Sequence, residues 1–445
     1  MHPHHARRKP HKHRPALKRS LGLFDSTMYG IGIIIGAGIY ALIGEGAGIA
    51  GNAVWLSFVI GAVVAAFTGL SYCELSSMIP KEAAEYNYTK RAFNKKVAFV
   101  VGWVLLLSMI VAASTVAMGF SGYFSRLVPF PIVAISVVLI ILLSIVNFWG
   151  IKESSKFNII ATLIEVGGLI IVIAVGLMFF NPSIDVNYSP SGFGGIMAGA
   201  VLMFFAFIGF EDVANISEET KNAKKVVPKA LLIALAVSTI LYILVALAAV
   251  SVVGWETLSS SNAPMAEILG RAFGPNAAML MVFIALFSTG NTVLISLVVA
   301  SRMMYGISND SSLPKVLAKI HPKTQTPYIA VFVSMIAAIA FVLLGDIKLI
   351  AEVTTSSIFI AYLFVNLSLI ALRYRMPDAE RPFRVPFNIG KFPVISALGA
   401  ITVVIMLLYS NMVVLAWEMG FIVLGLGIYY LYTKLSSRVS ENRKE

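Results

Sequence analysis

One cysteine, Cys73, stands in 445 residues. It excludes a disulfide within the chain and any cysteine-based metal centre. Charge is nearly as scarce, since Asp, Glu, Lys and Arg make up 13% of the residues against 58% hydrophobic, with a mean hydropathy of +0.86. A water-soluble domain cannot bury that much apolar surface. Motifs of catalysis are missing too: there is no Gly-x-x-x-x-Gly-Lys phosphate cradle and no His-x-x-x-His pair, so no enzymatic role and no cofactor are expected. The first apolar run is longer than the core of a secretory signal and lacks its small-residue cleavage site, so no signal peptide is expected.

What the chain has is apolar length. Stretches able to cross a bilayer, at about 20 residues each, fall at 22–47, 52–79, 97–125, 130–149, 157–180, 193–217, 229–253, 277–301, 328–344, 350–372, 393–411 and 413–433. They predict an all-α polytopic membrane protein with twelve transmembrane helices. Of 34 Lys and Arg residues, 31 lie in alternate segments, starting with the basic head 1–20, and only Arg126, Arg271 and Lys348 lie in the others. The positive-inside rule then puts both termini in the cytoplasm. The net charge of +12 is therefore a mark of topology and no sign of nucleic acid binding. The His-rich head reads as a solvated tail, and no metal site is expected there.

Two of the stretches are interrupted. Tyr29-Gly-Ile-Gly-Ile-Ile-Ile-Gly-Ala-Gly-Ile-Tyr40 weakens the first span with four glycines. A bilayer tolerates broken helix only where the freed peptide groups face protein, water or ligand. Gly36, Ala37 and Gly38 thus form a candidate anion site of main-chain N–H groups at a half-helix N-terminus, although small residues also serve close helix packing. The sixth span breaks at Phe204-Phe-Ala-Phe-Ile-Gly-Phe-Glu-Asp212, offering carbonyls from Phe205 to Ile208 to a cation. Five spans separate the breaks, and an odd interval reverses orientation. That pattern predicts a five-plus-five inverted repeat, about 21–180 and 190–375, with discontinuous helices 1 and 6 and substrate between them. A ligand that carries both charges a few Å apart is an α-amino acid.

Buried polar groups mark further candidates. Glu165, about 14 Å along its helix from Lys156, lies near mid-bilayer with no basic neighbour in the span. Its charge would be costly there, which suits a proton carrier. Glu211 is a second candidate for proton coupling. Ser288, Thr289, Asn291 and Thr292 in span 8, with Ser108 in span 3, are candidates to line an ion site or cavity, or to bond helix to helix. Glu352 reads as a cavity wall or an interface position. The loop 80–96 reads as a short interfacial helix or a solvated loop, 376–392 as a cytoplasmic loop, 393–433 as two peripheral helices, and 434–445 as a cytoplasmic tail.

The span 1 motif, Phe204 to Glu211 followed by Glu218-Glu219, Tyr305-Gly-Ile-Ser-Asn-Asp310 with Leu313-Pro-Lys315, and Arg381-Pro-Phe-Arg-Val-Pro386 together resemble the amino acid, polyamine and organocation (APC) transporter superfamily. The likeness is to its cationic amino acid transporter-like branch. It implies the inverted-repeat core plus two C-terminal helices. It also implies a substrate carboxylate on the main chain of Gly36, Ala37 and Gly38, and an ammonium on carbonyls of Ile34, Phe205, Ala206 and Ile208. The Phe205 ring takes the place of an inner gate. Where relatives keep a Ser or Thr, this chain has Ala37; where sodium-independent relatives can keep a Lys in span 5, it has Glu165. Val104 and Ser108 replace acids that relatives for cationic substrates carry. The expectation is a secondary transporter of α-amino acids, neutral ones favoured, in the cell membrane and driven by protons. Exchange, sodium coupling, cationic or polyamine substrates, and a non-transporting sensor are the alternatives; oligomeric state is not legible.

Overall fold

The computed structural model describes residues 21–81, 84–149, 155–217, 219–310 and 312–441. The basic head 1–20, Glu82, Ala83, residues 150–154, Glu218, Ser311 and the last four residues lie outside them. Every expected apolar segment contains helix. In order these are α1 (Leu23–Ile34), α2 (Ala37–Ala50), α3 (Val54–Met78), α4 (Ala84–Ala92), α5 (Lys95–Phe124), α6 (Ile132–Trp149), α7 (Ser155–Met178), α8 (Gly192–Met203), α9 (Asp212–Asn215), α10 (Ala223–Ser259), α11 (Pro264–Phe273), α12 (Pro275–Asn309), α13 (Tyr328–Val342), α14 (Ile347–Arg375), α15 (Val394–Leu408) and α16 (Met412–Glu441). Among the described residues nine helical stretches are long and apolar enough to cross a bilayer, the first running 56 residues over α1, α2 and α3, and α13 and α15 are shorter apolar helices. Among the described residues one two-stranded hairpin, β1 (Asn388–Ile389) with β2 (Phe392–Pro393), lies before α15.

Local chemistry explains the ends. Asn94 caps α5 by accepting from Val97 N–H at 3.0 Å, and Asp346 caps α14 by accepting from Leu349 N–H at 3.0 Å. α4 takes the helical form of the two readings for that loop, with Glu85 and Tyr88 buried. α11 was not expected. Pro264 presets its first turn, and it turns Met265, Ile268 and Leu269 inward while Glu267 pairs with Arg126. α10 begins six residues before the expected span and runs six beyond it, kinking at Gly254.

α5 is enclosed by α12 and α14, and α3 by α8 and α10. Leu142, Phe332, Ile401 and Leu424, on α6, α13, α15 and α16, are exposed, as a lipid-facing rim requires. Polar side chains tie the interior. Asn366 of α14 donates to Thr68 Oγ1 at 3.0 Å and accepts from Ser71 Oγ at 2.7 Å, and Ser71 Oγ also lies 2.8 Å from Ser396 of α15. Glu74, fully buried on α3, meets Arg373 and Arg381 (Nε at 3.1 Å) and accepts from Val385 N–H at 2.8 Å. The Arg381–Pro386 motif is thereby stapled to the bundle. Cys73 is buried, its Sγ 3.5 Å from the Pro228 carbonyl.

Candidate functional site: two helix breaks face to face

α1 stops at Ile34 and α2 restarts at Ala37, with Gly36 as a non-helical cap residue. The second break is longer. α8 gives way to a tight turn over Phe204–Phe207, Gly209 takes a φ of 113°, and α9 starts at Asp212. That φ favours glycine, and a Cβ at Gly209 would also collide with Ile33. The breaks touch each other: a Cβ on Gly38 would lie 2.7 Å from Ala206 Cα. On their other side, Leu21 and Thr220 form a β-bridge, with Leu21 N–H donating to Glu219 O at 3.2 Å and Lys221 N–H to Leu21 O at 2.9 Å.

Side chains from distant helices occupy the freed peptide groups. Ala37 N–H donates to Thr292 Oγ1 at 3.1 Å, and Thr292 donates to the Ser288 carbonyl at 3.1 Å. The Tyr242 hydroxyl reaches both the Ile34 carbonyl and the Ala206 carbonyl, the latter at 2.8 Å. A hydroxyl has one hydrogen, so it can satisfy only one of them at a time. Thus a peptide donor of break one and peptide acceptors of both breaks are held by hydroxyls. The Phe205 carbonyl accepts from Ile208 N–H at 3.3 Å. Phe204 and Phe207 sit in aromatic pairs with Phe359 and Tyr242 respectively, whereas the buried Phe205 ring has no such pair among the described residues.

The acids separate into two kinds. Glu211 Oε2 accepts from Gly209 N–H at 2.9 Å and from Tyr362 at 2.6 Å, so its buried carboxylate organises break two. Glu165 is buried with its carboxyl facing Ser288 and near Tyr40 and Tyr242, and its Oε1 has no hydrogen-bond partner among the described residues. The Glu165 carbonyl accepts from Tyr40 at 2.8 Å. Ser288, whose Oγ has no hydrogen-bond partner among the described residues, lies one helical turn from the Thr292 that holds Ala37. Thr289 donates to Ala285 O at 2.6 Å and Ser108 to Leu105 O at 2.7 Å, each within its own helix. Asn291 is half-buried.

Tyr242 and Tyr362 were not among the expected residues. The available signal was a phenol in mid-span, whose hydroxyl needs a partner when buried. The motif residue Asp310 closes a contact between α12 and the α4–α5 region, accepting from Tyr86 and pairing with Lys95 at 3.4 Å. Burial alone would raise its carboxyl, but the Tyr86 bond and the Lys95 and Lys90 charges outweigh it and hold it below the usual carboxylate range. Among the described residues no three His, Cys, Asp or Glu side chains are grouped to hold a metal. The spacing Gly46-x-Gly48-x-x-Gly51 lies at the buried end of α2, without the strand that a dinucleotide loop requires. A groove of about 460 Å³ between α6 and α13, lined by Ile141, Phe148, Phe332 and Met335 among others, carries no charged group.

The chain matches the amino acid permease family over residues 21–434. It is 32% identical to the branched-chain amino acid permease BcaP of Bacillus subtilis, covering 96% of this chain and 95% of that one. It is 30% identical to the methylthioribose transporter of the same organism, covering 96% of each, and 30% identical to mouse cationic amino acid transporter 4, covering 81% of this chain and 60% of that one. The chain belongs to the amino acid permease family, within the APC superfamily, and is a multi-pass membrane protein.

Proposed function

Because the chain belongs to that family, we propose that it is a secondary active transporter of α-amino acids, neutral ones foremost, working by alternating access in the cell membrane. Its helices make twelve crossings with both termini cytoplasmic, and two oppositely oriented five-helix repeats enclose the breaks. The observation that carries this reading is the side-by-side placement of the Ala37 N–H and the Ile34 and Ala206 carbonyls. A substrate carboxylate takes the Ala37 N–H and its neighbours Gly36 and Gly38 in place of Thr292. The ammonium brings three donors to the carbonyls of Ile34, Phe205, Ala206 and Ile208, of which Tyr242 can serve only one. The unpaired ring of Phe205 closes over the amino acid.

Proton-coupled symport is assigned to Glu165. Its carboxyl faces Ser288, one helical turn from the Thr292 that holds Ala37, so a change of protonation is felt at break one. Glu211 is a weaker candidate, since Gly209 N–H and Tyr362 already hold it. Neutral substrates are favoured by the nearly end-to-end match to a branched-chain permease. Likeness to a cationic transporter keeps the basic amino acids in the test.

The test is uptake into proteoliposomes across the twenty amino acids and methylthioribose, at two pH values, with and without sodium. Saturable uptake of neutral amino acids, stimulated by an acid exterior in the parent and not in Glu165→Gln, is the expected result. Uptake only against internal amino acid would make it an exchanger, and sodium dependence would replace the proton. Binding without flux would make it a sensor.

A further inference from the structure

A second cavity, of about 190 Å³, opens between α2, α8, α14 and the α15–α16 connection. Its walls include Ile49, Ala198, Val201, Lys348, Glu352 and Tyr409. α2 and α8 are the half-helices that lead into the breaks, and Val201 precedes Phe205 by four residues, about 6 Å of helix. The cavity therefore stands on the approach to the breaks from the side opposite the Leu21–Thr220 bridge. At about 30 Å³ per water it has room for about six waters, the scale of one aliphatic amino acid.

Its charges are unmatched. Lys348 and Glu352 are four apart on α14, yet neither forms an ion pair or a hydrogen bond through its side chain with any described residue; Lys ahead of Glu is the weaker order for a helical pair. Glu352 is 8% exposed as a residue, and its carboxyl faces this space with no ion-pair or hydrogen-bond partner among the described residues. A solvated rim of charges would not bury one of its members this far. Glu45 of α2 and Asp346 also lie within electrostatic reach of Lys348.

We propose that this cavity is a separate outer binding site for the head group of an α-amino acid, Lys348 taking the carboxylate and Glu352 the ammonium, before the amino acid reaches the breaks. With Glu45, Asp346 and Glu352 set against a single Lys348, the site repels substrates whose side chain is acidic. It rests on the transport reading for its direction, outward-facing, and adds a second point of recognition remote from the main-chain site.

The experiment uses the full chain with L-leucine, L-arginine and L-glutamate as probes, measuring uptake kinetics in proteoliposomes and equilibrium binding in detergent. Glu352→Gln and Lys348→Met should each raise KM by about tenfold, the loss of one charge-assisted hydrogen bond, with kcat changed by less than about twofold. Leucine binding should fall from two sites to one, and glutamate should inhibit Glu352→Gln more strongly than the parent. The exchanged pair Lys348→Glu with Glu352→Lys keeps both charges and should recover most of the affinity, which a merely structural role would not predict. Unfolding midpoints separate a folding defect from a lost contact, and Glu45→Gln serves if either variant fails to fold. Parental KM in every variant, with a single leucine site already in the parent, would overturn the outer site alone. A parent that neither binds nor moves any probe would overturn the transport reading, and the outer site with it.

Discussion

The two interruptions are built in different ways. Break two spans Phe204 to Glu211 and is held partly from within, Glu211 reaching back two residues to Gly209 N–H, and partly by Tyr362 of α14 and Tyr242 of α10. Break one is short, and its freed N–H is held from outside by Thr292, 255 positions away in the chain. A turn with a bond of its own depends less on its neighbours. A turn capped by another helix changes whenever that helix moves, or whenever a ligand supplies the same bond. The contrast assigns shape to break two and responsiveness to break one, with Tyr242 between them.

The largest expected effect attacks the rigid side. Gly209→Ala adds a side chain in the left-handed region and against Ile33, and should cost about 3 kcal/mol, seen as a sharp fall in thermal stability and loss of transport. Next, Glu211→Ala leaves Gly209 N–H and the Tyr362 hydroxyl without their acceptor and should destabilise by about 2 kcal/mol, with Tyr362→Phe milder. Tyr242→Phe removes the hydroxyl shared by Ile34 and Ala206. It should cost about 1 kcal/mol of stability and alter KM, because both breaks lose the same donor. The smallest effect on stability belongs to Thr292→Val, about 1 kcal/mol or less, which frees the Ala37 N–H. Its uptake KM should nevertheless shift. A Thr292→Val protein with parental KM but a larger loss of stability than Glu211→Ala would reverse the assignment of the two breaks.

Both breaks were legible in the sequence because glycine and acid within an apolar run contradict an unbroken helix, a conflict contained in a dozen residues. Their partners were not. Thr292 stood out as a hydroxyl in span 8, but nothing local tied it to Ala37, and Tyr242 and Tyr362 read as ordinary bulk in apolar helices. Glu74 passed unnoticed in span 2, and Arg373 and Arg381 read as loop cations, since their meeting depends on how α3 and α14 pack. Glu418, on the last of the helices expected to be peripheral, accepts from Ser357 at 2.9 Å and joins α16 to α14. α11 escaped because its one apolar face spans only ten residues between two longer runs.

The buried Cys73 has a practical consequence. With its thiol turned to the Pro228 carbonyl and no surface of its own, the unaltered protein should take up little maleimide dye while folded. A cysteine placed at Lys348 would then report access to the cavity beside α14 against a quiet background, without first stripping the chain of its native sulfhydryl.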